Sequence, residues 1–342
     1  MIREYLSGKS WETGHFSPCP KAADRAVWAE IYRREQVLSE CEKIREVLER
    51  EGIPQIPLKL WLDYCETGTR TRFEAVFFAR RRDLAMLALG EATAHDGAYL
   101  EQIGSLVWAI LEESAWNLPA HNSYLRNAAS LPLPDRSRPI VELFAAETGA
   151  LLAMISHLLG DELEARFPGM LRQIRLALHD RIILPLLRFH FWWMGGDGEA
   201  VNNWTTWCFQ NVLITASVLY EASAADETPV QEAIRAKTRP QGPGAGSYDG
   251  ETLPDGRYVS EAQLRDLVEK CAVGLDNFLD DYGEDGCCSE GAQYYRHAGL
   301  TLYACLDILE HLTGGATAAA WKEPKIRNIA EYIAYVHVDG DY

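Results

Sequence analysis

Apolar residues recur at steps of three and four along nearly the whole chain, the spacing that lines one face of an α-helix. In Ala22–Glu51, the positions Val27, Ile31, Val37, Ile44 and Val47 punctuate a charged surface, and Gly52 with Pro54 ends the pattern. Arg72–Ala94 repeats it with Phe73, Val76, Phe77, Ala85 and Leu89, and Tyr99–Glu113 with Ile103, Val107, Ile110 and Leu111. The prolines of Ser114–Pro134 forbid a continuous helix. Periodicity resumes over Pro139–Leu159 and over Asp161–Phe189, where Pro185 predicts a bend. It continues through Glu199–Ala222, Ser260–Tyr282, Ala292–Thr313 and Thr317–Val336. The Pro/Gly-rich stretch Arg239–Arg257 fits no nucleotide-binding spacing and reads as a surface loop. Only YVHVDGDY, from Tyr335 to Tyr342, alternates like a strand.

Long helices joined by short loops predict an all-α array of antiparallel hairpins. No fixed-period repeat of the solenoid kind is present, so a closed or nearly closed ring, an (α/α) toroid, fits better. In such a ring the loops at one end surround a cleft. The expected organisation is a toroid over 1–336, with 337–342 opening a β-rich domain.

Composition narrows the function. The chain has 342 residues, 47% hydrophobic and 24% charged, enough for a large core. A formal net charge of −17 argues against general binding of nucleic acid or anionic membrane. The first residues, MIREYLSGKSWETGH, lack the apolar core of a signal peptide, which predicts a cytoplasmic location. Apolar runs such as Ile182–Leu187 are too short to span a bilayer. None of the eight cysteines stands in CxxC spacing, so reduced, packed thiols are expected. No metal-ligand pattern appears, and no metal or cofactor is expected.

Three polar-aromatic clusters depart from the apolar pattern. The first is Trp116-Asn117-Leu118-Pro119-Ala120-His121-Asn122, where a loop His beside Trp and Asn suits binding, or where His121 bonds a neighbouring carbonyl while Trp116 plugs the core. The second is Asn202-Asn203-Trp204-Thr205-Thr206-Trp207. Paired Asn can simply cap a helix, but with a start at Gly198 or Glu199 the residues Asn203, Thr206, Trp207 and Gln210 share a polar-aromatic face. The third is Tyr282–Gly299, in which Glu290 precedes Tyr294, Tyr295, Arg296 and His297. Helical phase puts Tyr295 on a stripe with Leu302, Leu306 and Leu309, and Tyr294 with His297 on another face. Tyr294 is therefore the candidate for chemistry and Tyr295 for packing.

At these clusters the chain resembles the heparinase II/III-like polysaccharide lyases, including alginate and oligoalginate lyases of the same architecture. The resemblance is carried by WNLPAH (Trp116–His121), NNW (Asn202–Trp204) and EGAQYYRHAG (Glu290–Gly299). It implies an (α/α) toroid followed by a β-sandwich that contributes to the active site, and an acidic polysaccharide or oligosaccharide as substrate. It also implies β-elimination at a uronic acid. Asn203 and His121 would offset the uronate charge, and Tyr294 would exchange the C5 proton. Trp116, Asn202, Trp204, Trp207, Glu290, Arg296 and His297 complete the expected substrate site. Trp204 stands where several relatives have His, and His297 where they have a second Tyr, so charge neutralisation falls to His121 or to residues after Tyr342. Two other readings stay open. One is a toroidal glycoside hydrolase using carboxylates among Glu112, Glu113, Asp285 and Glu290. The other is a non-catalytic carbohydrate-binding module.

Overall fold

The computed structural model describes residues 1–8, 10–196, 198–221 and 258–337. Its helices are α1 (Ile2–Leu6), α2 (Arg25–Trp28), α3 (Arg34–Glu51), α4 (Leu58–Thr67), α5 (Thr71–Ala94), α6 (Leu100–Leu111) and α7 (Leu143–Leu158). They continue with α8 (Gly160–Arg166), α9 (Met170–Leu178), α10 (Leu184–Arg188), α11 (Asn203–Glu221), α12 (Glu261–Asp281), α13 (Tyr295–Leu312) and α14 (Pro324–Val336). Among the described residues the β pairing consists of one isolated bridge, Gly196 to Glu199. The described residues form an all-α structure.

Several boundaries differ from the periodicity, each for a local reason. Ala22–Glu51 is not one helix: Arg33 adopts a left-handed conformation with φ 58° and separates α2 from α3. The turn lets the guanidinium groups of Arg25 and Arg34 both donate to the Thr93 carbonyl at the end of α5. Asp161–Phe189 breaks at Pro168-Gly169, and His179–Ile183 widen into a π turn ahead of Pro185. Pro185 has no N–H for the Arg181 carbonyl, and a π turn is one way a helix absorbs that loss. α11 begins at Asn203, not at Glu199, because the Asn202 side chain accepts the Trp204 N–H and caps it. Thr317–Val336 is a 3-10 turn, Ala318–Lys322, followed by a helix that Pro324 restarts at its first position. Tyr335 and Val336 are helical rather than the start of a strand. The rest of the strand-like stretch, 338–342, and the loop expected over Arg239–Arg257 lie outside the described residues.

The helices pack in two layers. α5, α7, α11 and α13 form an inner row, each against the next; α3 and α6 cover α5, α9 covers α7, α12 covers α11 and α14 covers α13. α11 is central, and its residues from Cys208 to Leu219 are nearly all buried, as expected of a helix that is apolar on every side. α12 reaches it closely because Gly274 has no side chain; a Cβ there would run into the Phe209 ring. Thr206 and Thr301 join α11 to α13 through their hydroxyls at 2.8 Å.

The inner helices run parallel. An extended N-terminal segment crosses their C-terminal ends in turn: Gly14 N–H donates to Leu312 O of α13, His15 stacks on Tyr220 of α11, and Ala22 N–H donates to Leu158 O of α7. Arg25, just beyond, donates to Ala92 O of α5. The opposite end gathers the N-terminal ends of these helices and the loops before them.

Candidate functional site

At that opposite end, α4 and the 116–134 loop set the position of His121. Pro119 starts a 3-10 turn, Pro119–His121, that packs on α4, and Trp61 of α4 donates its indole N–H to Pro132 O at 3.0 Å. His121 Nδ1 lies 2.8 Å from Glu142 Oε2, and Glu142 is buried. The other Glu142 oxygen accepts the Phe144 and Ala145 N–H groups, capping α7. With Nδ1 donating to Glu142, Nε2 is the polar atom His121 has left for a ligand. His121 lies parallel to Phe144, centroids 5.9 Å apart, and 4.9 Å from the Trp204 ring.

A cavity of about 480 Å³ opens here, lined by His121, Tyr64, Arg126, Trp192, Asn202 and Trp204. Trp192 leans on Trp204 at 4.9 Å, and the Arg126 guanidinium covers the Trp192 ring at 4.8 Å. Aromatic rings, a cation, an imidazole and a carboxamide, with the Glu142 carboxylate buried behind the imidazole, suit a ligand with ring faces and negative charge.

The third cluster adjoins this cavity one turn along α11. Trp207 stacks face to face on His297, centroids 3.9 Å apart, and meets Phe144 edge-on at 6.1 Å. Its indole N–H donates to Glu147 of α7 at 2.7 Å. Arg296 Nε donates to His297 Nε2 at 2.9 Å. Burial first and the Arg296 charge second hold the His297 pKa below its ordinary value, so its ring is a neutral acceptor at Nε2. Tyr294, 46% exposed, stands 6.4 Å from His297. Tyr295 turns instead to the Tyr332 ring at 5.9 Å, and burial raises its phenol pKa. Glu290 is exposed and accepts the Asn203 N–H at 3.4 Å. The Asn203 side chain is buried and makes no hydrogen bond among the described residues.

The structure thus brings His121, Asn203 and Tyr294 to one end of the inner row, although Tyr294 does not line the 480 Å³ cavity. Trp116 is the exception. It was expected at the ligand, but it is buried, donates its indole N–H to Ile110 O and lies under the Arg181 guanidinium, so it packs behind the loop. Glu113 is also removed from the carboxylate candidates, because Arg80 and Arg81 enclose it in a buried ion pair.

The chain matches no known protein family and no curated protein. Its site is therefore read from its own residues.

Sequence reasoning missed Glu142, Glu147, Tyr64, Arg126 and Trp192. Glu147 carried a signal, as the one acid inside the apolar helix LFAAETGALLAMISHL. Burial pushes its carboxyl pKa up, Trp207 opposes that by hydrogen bonding, and Glu142 adds to it. Among the described residues no group of three His, Cys, Asp or Glu side chains could hold a metal ion, and no single helix is long and apolar enough to cross a membrane. Cys208, Cys271 and Cys305 are buried, and burial raises their thiol pKa values, which makes them inert packing groups.

Proposed function

We propose that this protein is a lyase that cleaves uronic-acid-containing polysaccharides or oligosaccharides by β-elimination, on an incomplete (α/α) toroid. One observation carries the reading: three motifs far apart in sequence, each resembling heparinase II/III-like lyases, meet at one end of parallel helices. His121 touches Trp204, Trp207 stacks on His297, and Glu290 holds the first N–H of α11. The succession of inner helices α5, α7, α11 and α13 under an outer layer supports the toroid.

A uronate C5 proton is poorly acidic until the neighbouring carboxylate is offset by hydrogen-bond donors. Protonated on both ring nitrogens, with Nδ1 donating to Glu142 and Nε2 to the substrate, His121 would supply that offset together with the N–H groups of the Asn203 carboxamide, and Arg126 would add charge beside the stacking rings. Tyr294 would take the C5 proton and return one to the departing O4. A phenol is a weak base, so the proton would pass in concert with departure of O4. Hydrolysis has one observation in its favour, the raised carboxyl pKa of Glu147 beside Trp207, which suits a general acid.

The protein incubated with a panel of uronate polymers and oligomers should generate ultraviolet absorbance from a conjugated C4–C5 double bond. New reducing ends without that absorbance would replace elimination with hydrolysis. Binding without either would leave a carbohydrate-binding module.

A further inference from the structure

The loop that presents His121 has a second face. Ala120 and His121 border the aromatic cavity, whereas Trp116, Asn117 and Asn122 border a separate recess of about 330 Å³. Arg136, Arg138 and Arg181 line that recess.

Arg181 comes from the π turn, at a position where helices often carry function. Its guanidinium lies 4.7 Å above the Trp116 ring and donates one N–H group to Leu111 O at 2.9 Å. Its Nη1 is buried with no hydrogen-bond partner. Two acids share the recess, Asp135, which also feels the Arg138 charge, and Asp180. Asp135 accepts the Ser137 N–H and hydroxyl, and Asp180 lies 3.2 Å from His179 Nδ1. Burial, then the neighbouring Arg136 charge, brings the Arg181 pKa down to about 10. A half-buried guanidinium with an unmet donor and a second cation as neighbour is costly unless an anion offsets the two charges. Arg138, spread over the Tyr124 and Phe189 rings at 4.4 and 4.8 Å, closes the rim with a third cation.

We propose that the recess between Arg181, Arg136 and Trp116 is an oxyanion-binding site, separate from the aromatic cavity, that takes a carboxylate, sulfate or phosphate group. The planar, fork-shaped donors of two arginines match such oxygens pairwise. The group belongs either to a free inorganic ion or to an acidic sugar, and the two sources share this chemistry.

Isothermal titration of the protein with inorganic sulfate, inorganic phosphate and glucuronate, each against sodium chloride of equal ionic strength, tests the site. Saturable binding of at least one is expected. If glucuronate alone saturates, the site reads a sugar acid; if the inorganic ions do, it takes a free oxyanion. Arg136→Glu, at an exposed position, should weaken that binding at least ~10-fold, the loss of one charge-assisted pair. His121→Ala should leave it unchanged. Arg181→Gln tests the half-buried partner, and the exposed Arg136 variant decides the matter should that protein fail to fold. No saturation by any of the three anions, or Arg136→Glu binding as tightly as the unaltered protein, would overturn the site. The elimination assay is independent, so its failure removes the proposed function and leaves this inference standing.

Discussion

The two ends of the inner helix row solve opposite problems with the same helices. At the C-terminal ends, the extended N-terminal segment and the starts of α2 and α3 supply partners to carbonyls that helices leave unmet: Gly14 to Leu312, Ala22 to Leu158, and Arg25 with Arg34 to Ala92 and Thr93. At the N-terminal ends, the N–H groups meet single carboxylates, Glu142 on α7 and Glu290 on α11, and the remaining space holds rings and cations. One end is closed by backbone and the other is left open by side chains. Substitutions at the first end should therefore change stability and leave activity, and substitutions at the second should do the reverse.

The largest effect expected is at the open end. Tyr294→Phe removes only a hydroxyl from a ring that is nearly half exposed. Under the proposed elimination it should lower turnover ~10²–10⁴-fold, the range for losing a general acid–base group, with an unchanged melting temperature. Tyr295→Phe should stay active, since that ring packs on Tyr332. A dead but folded Tyr295→Phe beside a normal Tyr294→Phe would reverse the assignment while keeping the contrast between ends.

The open end still rests on a rigid base. Arg80 and Arg81 close on Glu113 at 3.0 and 2.7 Å, and Arg81 also donates to Thr148 of α7 and covers the Phe77 ring. Glu113→Ala leaves two buried cations unpaired and should cost ~3–5 kcal/mol in denaturant unfolding. A loss under 1 kcal/mol would show that water reaches this pair.

Periodicity made the helices legible because burial of one face repeats along the chain, and the capping box of Ser260 and Gln263 fixed the start of α12 at the expected residue. It failed where a side chain serves a distant element. Arg25 and Arg34 interrupt a helix in order to reach α5, and α4 was hidden behind Pro54 and Pro57 although it carries the His121 turn. Tyr294 and Tyr295 were separable by phase alone. Trp116 was not, since Trp in a loop reads the same whether it faces a ligand or plugs a core. Glu142 was invisible because its role depends on His121, which the sequence places in another loop.

At the closed end a smaller effect is expected. A Cβ on Gly14 would collide with the His311 carbonyl, so Gly14→Ala must push the N-terminal segment away from α13. The cost should be ~1–3 kcal/mol of stability, as for other overpacked contacts. Turnover per folded molecule should not change. A variant that keeps its melting temperature would show that the segment adjusts freely, and a drop in turnover would show that the two ends are coupled.

The smallest effect sharpens the comparison through pH. His297 is held neutral in the folded protein, its pKa below the ordinary value of 6.5 because burial against Trp207, and then Arg296, disfavour the imidazolium. In the unfolded chain both influences are gone, so the unfolded state binds more protons between the depressed pKa and 6.5. The stabilisation is complete above 6.5 and is lost as pH falls through the folded-state pKa. His297→Gln keeps a polar side chain over Trp207 but cannot titrate, and it should flatten this part of the stability–pH curve. Because the ring is half-buried, solvent screens much of the effect, and the measurement is the difference between the two curves on the acid side of 6.5. Curves that stay parallel there would mean that His297 titrates alike in both states. The stack on Trp207 would then have no electrostatic consequence, and the open end would be set by shape alone.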